Sequence, residues 1–161
     1  MKKIILCLLV SFWSISVISA EDNNEWKVAS GEIDGHKILY RYRVNLLGNV
    51  ETNKFPTMIA IKWNYDEKNE FGFPSGETNS QQLRFEELLD PLDSSEFSYL
   101  TEVVTRNGTK EWIWYVESFE SWMERFNSVL KAEPAYPIEI NYYDEPNWET
   151  YTGFINWISS E

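Results

Sequence analysis

The sequence predicts an α+β fold built from short strands and two or three helices. Three observations indicate it: segments in which apolar and polar residues alternate, segments with apolar residues at helical spacing, and Gly, Pro, Asn and Asp residues that separate them. Of the 161 residues, 43% are hydrophobic and 25% are charged, which is typical of a globular protein. We therefore expect one domain.

The predicted strands begin with a β-hairpin. Residues 26–33 and 36–45 flank residues 34–35, an Asp-Gly pair that favours a two-residue hairpin turn. A third strand is predicted over residues 58–65, because hydrophobic residues alternate there with polar ones. The residues on its apolar face are Ile59, Ile61, Trp63 and Tyr65.

Two amphipathic helices are predicted further along the chain. The first covers residues 79–94, with apolar residues at i, i+3, i+4 and i+7, and Pro91 weakens its end. The second follows Ser118, a suitable N-cap residue, and ends before Pro134. Its apolar residues are Phe119, Trp122, Met123, Phe126, Val129 and Leu130.

A second hairpin is predicted between the two helices. Residues 99–106 and 109–117 flank an Asn-Gly pair at 107–108, the strongest short signal for a hairpin. A two-residue turn also predicts the cross-strand partners. These are Val103 with Trp112 and Thr101 with Trp114.

The last predicted elements are a strand over residues 136–143 and a short helix over residues 146–159. From about residue 58 to residue 143, the order is therefore strand, helix, strand, strand, helix, strand. This βαββαβ order is that of a ferredoxin-like split βαβ sandwich. The sequence thus predicts an α+β, ferredoxin-like core with an extra N-terminal β-hairpin and a short C-terminal helix.

Three segments together resemble a bacterial family, the domain of unknown function family 695. They are residues 105–115, the Gly-Phe-Pro break at 72–74 and residues 142–148, and the resemblance runs from about residue 26 to residue 157. The resemblance supports the predicted fold and implies no catalytic residues. Some members look like distant relatives of a ferredoxin-like acidic protein that inhibits a ribonuclease, which implies an acidic inhibitor or regulator.

Residues 1–20 are predicted to be a secretory signal peptide. Two lysines precede the apolar run 4–10, and small residues follow at Ser19 and Ala20. We expect cleavage after Ala20, with cleavage after Ser19 as the alternative. Serines interrupt the run too early for a membrane span. The expected product is a single domain, residues 21–161, that is periplasmic or secreted and has no membrane span.

The mature chain is expected to be strongly acidic. The 14 Lys and Arg against 26 Asp and Glu give a formal charge of −12, and loss of residues 1–20 removes two lysines and no acid, which gives −14. Because proteins bind nucleic acids mainly through Lys and Arg, we expect no nucleic acid partner. A basic protein is the favoured partner. The simpler interpretation is that the acids only keep the domain soluble.

The residue types required by common catalytic and metal sites are scarce. The single cysteine, Cys7, lies in the signal segment, and the single histidine, His36, lies beside the first hairpin turn. Cysteine catalysis and a cysteine zinc site are therefore excluded for the mature chain. We expect a binding or inhibitor domain with no cofactor, no metal and no enzymatic activity.

Two polar segments that contain aromatic residues are the candidate binding loops. They cover residues 66–77 and residues 144–148. Loops of this kind often carry function, although a capping role before a helix also explains the second one. The candidate binding residues are Asp66, Glu70, Phe73, Asp144 and Trp148.

Two carbohydrate functions are the alternatives. A sugar-binding domain uses aromatic rings as a platform, and Trp63, Trp148 and Trp157 are the candidates. A small glycosidase requires two carboxyl groups about 5 to 10 Å apart. The candidate carboxyl groups are those of Asp66, Glu70, Glu77 and Asp144.

We predict that the full-length chain, expressed in a bacterial host, is exported and shortened to residues 21–161, because its N-terminus has the charge and apolar pattern of a signal peptide. Mass spectrometry of the intact protein from the periplasm or the medium should give the mass of a chain that begins at Glu21. A chain that begins at Ala20 would move the cleavage to Ser19. A full-length chain in the cytoplasm would contradict the signal peptide.

Overall fold

A computed structural model describes residues 25–46, 49–66 and 71–160; the predicted signal peptide, its cleavage site and Glu70 lie outside these ranges. The α+β prediction is confirmed, because six strands and three helices follow one another along the described residues. They are β1 (Trp26–Ile33), β2 (His36–Arg43), β3 (Thr57–Asn64), α1 (Gly76–Leu89), β4 (Ser98–Arg106), β5 (Thr109–Val116), α2 (Phe119–Val129), β6 (Ile138–Asp144) and α3 (Glu149–Ile158).

The strands form one antiparallel sheet in the order β1-β2-β4-β5-β3-β6. α1 connects β3 with β4, and these two strands are separated in the sheet by β5. α2 connects β5 with β6, and these are separated by β3. The N-terminal hairpin extends the sheet, because β2 pairs with β4. Within the described residues, β1 and β6 are the two edge strands.

Both predicted hairpins are present. β1 and β2 turn at residues 34–35, and β4 and β5 turn at residues 107–108, with positive φ angles at all four positions. These are the backbone angles of the turn type that Asp-Gly and Asn-Gly pairs favour. The predicted pairing of Val103 with Trp112 is confirmed.

A β-bulge in β4 changes the other predicted pairing. The prediction that Thr101 lies opposite Trp114 is wrong, because the register shifts between Leu100 and Glu102 and places Leu100 there instead. Thr101 is the additional residue, and its hydroxyl donates to the carbonyl of Ile113 at 3.2 Å. The bulge turns Leu100 toward the tryptophan side of the sheet, which the regular alternation of a strand would not do.

α1 and α2 cover one face of the sheet. α1 begins earlier than the predicted range 79–94, because the hydroxyl of Ser75 accepts the Thr78 N–H at 3.2 Å. It also ends earlier, because Pro91 lies in a 3-10 turn over residues 90–92 that follows the helix. α2 follows Ser118 as predicted. The core on this face consists of Ile59, Ile61, Trp63, Phe85, Leu89, Leu92, Phe97, Leu100, Val103, Trp112, Trp114, Val116, Trp122 and Phe126.

α3 covers the opposite face together with the segment between β2 and β3. The predicted tail helix is therefore present, although it starts later than residue 146. Its ring contacts reach as far as β2, where Tyr42 meets Phe154 with ring centroids 5.2 Å apart. The core on this face consists of Leu46, Phe55, Met58, Tyr99, Ile113, Tyr115, Trp148 and Tyr151.

We predict that Gly35→Ala lowers the free energy of unfolding by about 1 kcal/mol, because Gly35 has a φ of +80° that costs any other residue about 1–2 kcal/mol. An added Cβ would meet no atom within 4 Å, so only the backbone is tested. Gly153→Ala in α3 also meets no atom within 4 Å and should raise stability by about 0.5–1 kcal/mol. Urea unfolding measures both, and a Gly35→Ala variant as stable as the parent would contradict the assigned turn.

Candidate functional site

The two predicted binding loops lie at opposite ends of the sheet. Asp144 is paired with Thr57 at the start of β3, whereas Asp66 follows Asn64 at its end. β3 has eight residues, and its two ends are about 23 Å apart. Asp66 and Asp144 are both exposed, but the structure does not bring them together.

The first loop is tied to the turn between β4 and β5. The Tyr65 N–H donates to the carbonyl of Gly108 at 2.8 Å, and the Gly108 N–H donates to the carbonyl of Gly72 at 3.0 Å. The Tyr65 hydroxyl also donates to the carbonyl of Gly72, at 3.0 Å. Phe73 follows directly and is half-buried. These bonds give the described part of the loop a clear connecting role.

Trp148 belongs to the core of the second face. Its side chain is 0% exposed, its indole N–H donates to the carbonyl of Phe55 at 2.9 Å, and its ring stacks on Tyr115 with centroids 4.1 Å apart. Its φ of 54° places it in the left-handed region, which is strained for a residue with a side chain. A partner cannot reach the ring, so Trp148 supports the turn before α3 and offers no binding surface.

Glu145 holds the same turn. Its carboxylate accepts the Thr150 N–H at 3.1 Å, the Thr150 hydroxyl at 2.6 Å and the Tyr115 hydroxyl at 2.7 Å. It therefore caps α3, although it lies before the N-cap position. Burial, supported by the hydrogen bond to Glu145, raises the pKa of Tyr115. Glu145 is not among the residues predicted from the sequence, although the nearby Pro146 and Thr150 signal a capped helix start.

Two arginines of β2 bind carboxylates of the helical layer. Arg41 donates to Glu86 of α1, and Arg43 donates to Asp93. Glu86 also accepts the indole N–H of Trp112 at 2.9 Å. Burial raises the pKa of Asp93, and the attraction of Arg43 opposes that rise. Arg43 is only 5% exposed, so these groups fasten the N-terminal hairpin to the core. The sequence analysis missed them because charges on a strand usually face water.

An exposed group of acids and aromatic rings lies where α2 meets β6. Tyr142 is 58% exposed, and its ring stacks on Phe119 of α2 with centroids 4.1 Å apart. Glu120 and Glu124 are exposed one helical turn apart, and Asp144 ends β6. We call this group the acidic edge and define it as Phe119, Glu120, Met123, Glu124, Tyr142 and Asp144.

Comparison with known families identifies the domain. The sequence profile of a family of unknown function, DUF695, matches residues 24–156. The chain belongs to the DUF695 family. The match runs from β1 into α3 and confirms the resemblance found in the sequence. A search of curated proteins finds no match.

Two kinds of site are not found in the described part of this DUF695 domain. No group of three or more His, Cys, Asp and Glu side chains among the described residues is arranged to hold a metal ion. None of the helices in the described ranges is long and apolar enough to cross a membrane.

A carboxyl with a strongly raised pKa lies inside the domain, closed to solvent. Glu102 of β4 is 4% exposed, and its Oε1 has no hydrogen bond partner among the described residues. Burial, together with the nearby Glu145, raises the pKa of Glu102 to about 8. Such a pKa suits general acid chemistry, but a substrate cannot reach this carboxyl. Its effect is therefore on stability.

We predict that the DUF695 domain loses stability as the pH rises from about 4.5 to about 8. The pKa of Glu102 in the folded state lies above its value of 4.5 in the unfolded state. The protonated carboxyl therefore stabilises the fold fully below pH 4.5, and this stabilisation is lost as the pH rises through the pKa of the folded state. Glu102→Gln should flatten the profile and add roughly 2–4 kcal/mol to the free energy of unfolding at pH 9. Urea unfolding at several pH values, with exposed Glu117→Gln as the control, measures this. Equal pH slopes for the Glu102→Gln variant and the parent would contradict it.

Proposed function

We propose that this DUF695 domain is a non-catalytic binding domain whose partner is a basic protein. The observation that carries the proposal is the acidic edge. Its Tyr142 ring is 58% exposed and stacks on Phe119 of α2, and the carboxylates of Glu120, Glu124 and Asp144 are exposed as well. Exposed aromatic rings bordered by charges of one sign are typical of interfaces that select a partner of the opposite charge.

The charge of the whole chain supports the same class of partner. The formal charge is −12, and it becomes −14 if residues 1–20 are removed. Such a charge repels nucleic acids and anionic membranes, and it accelerates the association of a basic protein.

The positions of the carboxylates support the non-catalytic part of the proposal. Asp66 and Asp144, two of the candidate glycosidase groups, lie at opposite ends of β3, about 23 Å apart. Glycosidases hold their two carboxyl groups about 5 to 10 Å apart. His36 lies at the β1–β2 turn, at the far edge of the sheet from the acidic edge.

We propose further that residues 58–143 form a ferredoxin-like split βαβ sandwich. The support is the strand order, in which each helix connects two strands that have a third strand between them. An exported acidic domain of this shape suits an inhibitor or regulator. Its target would then be a periplasmic protein or one that enters from outside.

Carbohydrate binding is the second candidate, and Trp157 is the observation that favours it. Trp63 and Trp148, the other two candidate platforms, are 2% and 0% exposed. The Trp157 ring is 45% exposed and borders a groove of about 380 Å³ between α3 and the N-terminal hairpin. An exposed ring beside a shallow groove is the usual platform for a sugar.

We predict that the immobilised full-length chain retains a basic protein from periplasmic extract at low salt and releases it at high salt. Glu120→Lys combined with Glu124→Lys should reduce the retained amount at least tenfold, because both changes reverse charge at the acidic edge. The matched control is Glu77→Lys combined with Glu87→Lys, two exposed acids of α1, with the same change in net charge. The control should retain the protein within about twofold of the parent.

Equal losses in the two double variants would show that only net charge matters and would contradict a specific edge. Failure to retain any protein would contradict the proposed function. Retention on a polysaccharide resin that is lost in Trp157→Ala would instead support the second candidate.

A further inference from the structure

We infer that the basic partner binds as an extended strand added to the outer edge of β6, in the seam between β6 and α2. This inference rests on the proposed function and adds the mode of binding to it. A partner strand would continue the antiparallel order of the sheet, and its backbone would supply the hydrogen bonds that an edge strand lacks.

The backbone of β6 shows which groups face outward. The Glu145 N–H donates to the carbonyl of Pro56 at 2.7 Å, and bonded pairs of an antiparallel ladder recur every two residues. In the register of the two strands, residues 139, 141 and 143 therefore bond to β3 as well. The backbone groups of Ile140, Tyr142 and Asp144 point to the open edge.

The side chains of these outward residues lie on the α2 face. Ile140 and Met123 pack partly buried against the core, and Phe119 stacks on Tyr142. A residue directly opposite Ile140 or Tyr142 in an antiparallel partner strand has its side chain on the same face. That side chain would contact the apolar side chains between β6 and α2, and the alternate side chains of the partner strand would point to the opposite face of the sheet.

β6 lacks the lysines, prolines and bulges that commonly protect an edge strand. Its sequence Ile-Glu-Ile-Asn-Tyr-Tyr-Asp contains no Lys and no Pro, and its pairing with β3 has no bulge from residue 138 to residue 144. Pro137 and Pro146 bound the open stretch on either side. Proteins usually protect long open edges with lysines, prolines or bulges, so this edge is available for pairing.

The charges around the seam select a basic occupant. Glu120 and Glu124 are exposed on α2, and Asp144 lies at the end of β6. Glu139 is exposed on the face of β6 opposite α2, where the alternate side chains of a partner strand point. On β1, the other edge strand, Lys27 is paired with Glu25, and Lys37 of the same hairpin is paired with Glu32. A strand with lysine or arginine side chains is therefore favoured at β6.

The test uses a capped eight-residue peptide in which valine and lysine alternate. In the antiparallel arrangement the valine side chains lie in the seam, so the valine N–H groups face β6 and the lysine N–H groups face away. N-methylation of the valine amides should weaken binding to the full-length chain at least tenfold, as measured by fluorescence polarisation. N-methylation of the lysine backbone amides keeps the charge and leaves intact the valine N–H groups that face β6. Binding of this peptide should therefore stay within about threefold of the unmethylated peptide.

A variant of the protein tests the same bonds from the other side. Tyr142→Pro removes the outward N–H of β6 and leaves the bonds to β3, whereas Tyr142→Ala removes only the ring. The proline variant should bind the unmethylated peptide at least tenfold more weakly than the alanine variant, with thermal unfolding showing that both are folded. If the proline variant does not fold, the pair of methylated peptides decides alone.

The two proposals fail in different ways. Equal binding of the two methylated peptides, with binding still lost in Glu120→Lys/Glu124→Lys, would overturn strand addition and leave a basic partner in place. Absence of binding for every peptide, together with no basic protein retained by the immobilised chain, would overturn both.

Discussion

The fold depends on the burial of aromatic rings on both faces of β5. Trp112 and Trp114 point into the core under α1 and α2, and Tyr115 points into the core under α3. Rings of this size stabilise the fold only when water is removed from them, at roughly 25 cal/mol per Å² of apolar surface. A strand with large rings on both sides therefore requires a cover on both sides. α3 supplies the second cover and is as necessary as the two helices of the first.

The second cover is connected to the surface proposed to bind. Asp144 ends β6, Glu145 caps α3 through Thr150 and Tyr115, and Trp148 fills the core directly afterwards. One short turn therefore fixes both the docking of α3 and the end of the edge strand. For the proposed partner strand, an edge held in this way would reduce the conformational entropy lost on binding.

The charges are distributed unevenly over the sheet. At the β2 side, Arg41 and Arg43 are neutralised by Glu86 and Asp93, so these four charges serve the attachment of the hairpin. At the β6 side, the acids of α2 and the strand end are exposed. In the proposed function, this negative edge orients an approaching basic partner. The paired charges thus attach the hairpin to the core, and the exposed acids of α2 and β6 are the ones proposed to bind the partner.

The sequence alone determined the elements whose causes are local. Turn pairs at residues 34–35 and 107–108 defined both hairpins, and the apolar spacing after Ser118 defined α2, because short-range geometry decides turns and caps. The bulge at Thr101, the burial of Trp148 and the separation of Asp66 from Asp144 were decided only by tertiary structure. Each depends on which strands are neighbours and which faces are covered. Those relations join residues far apart in the chain, and local periodicity does not encode them.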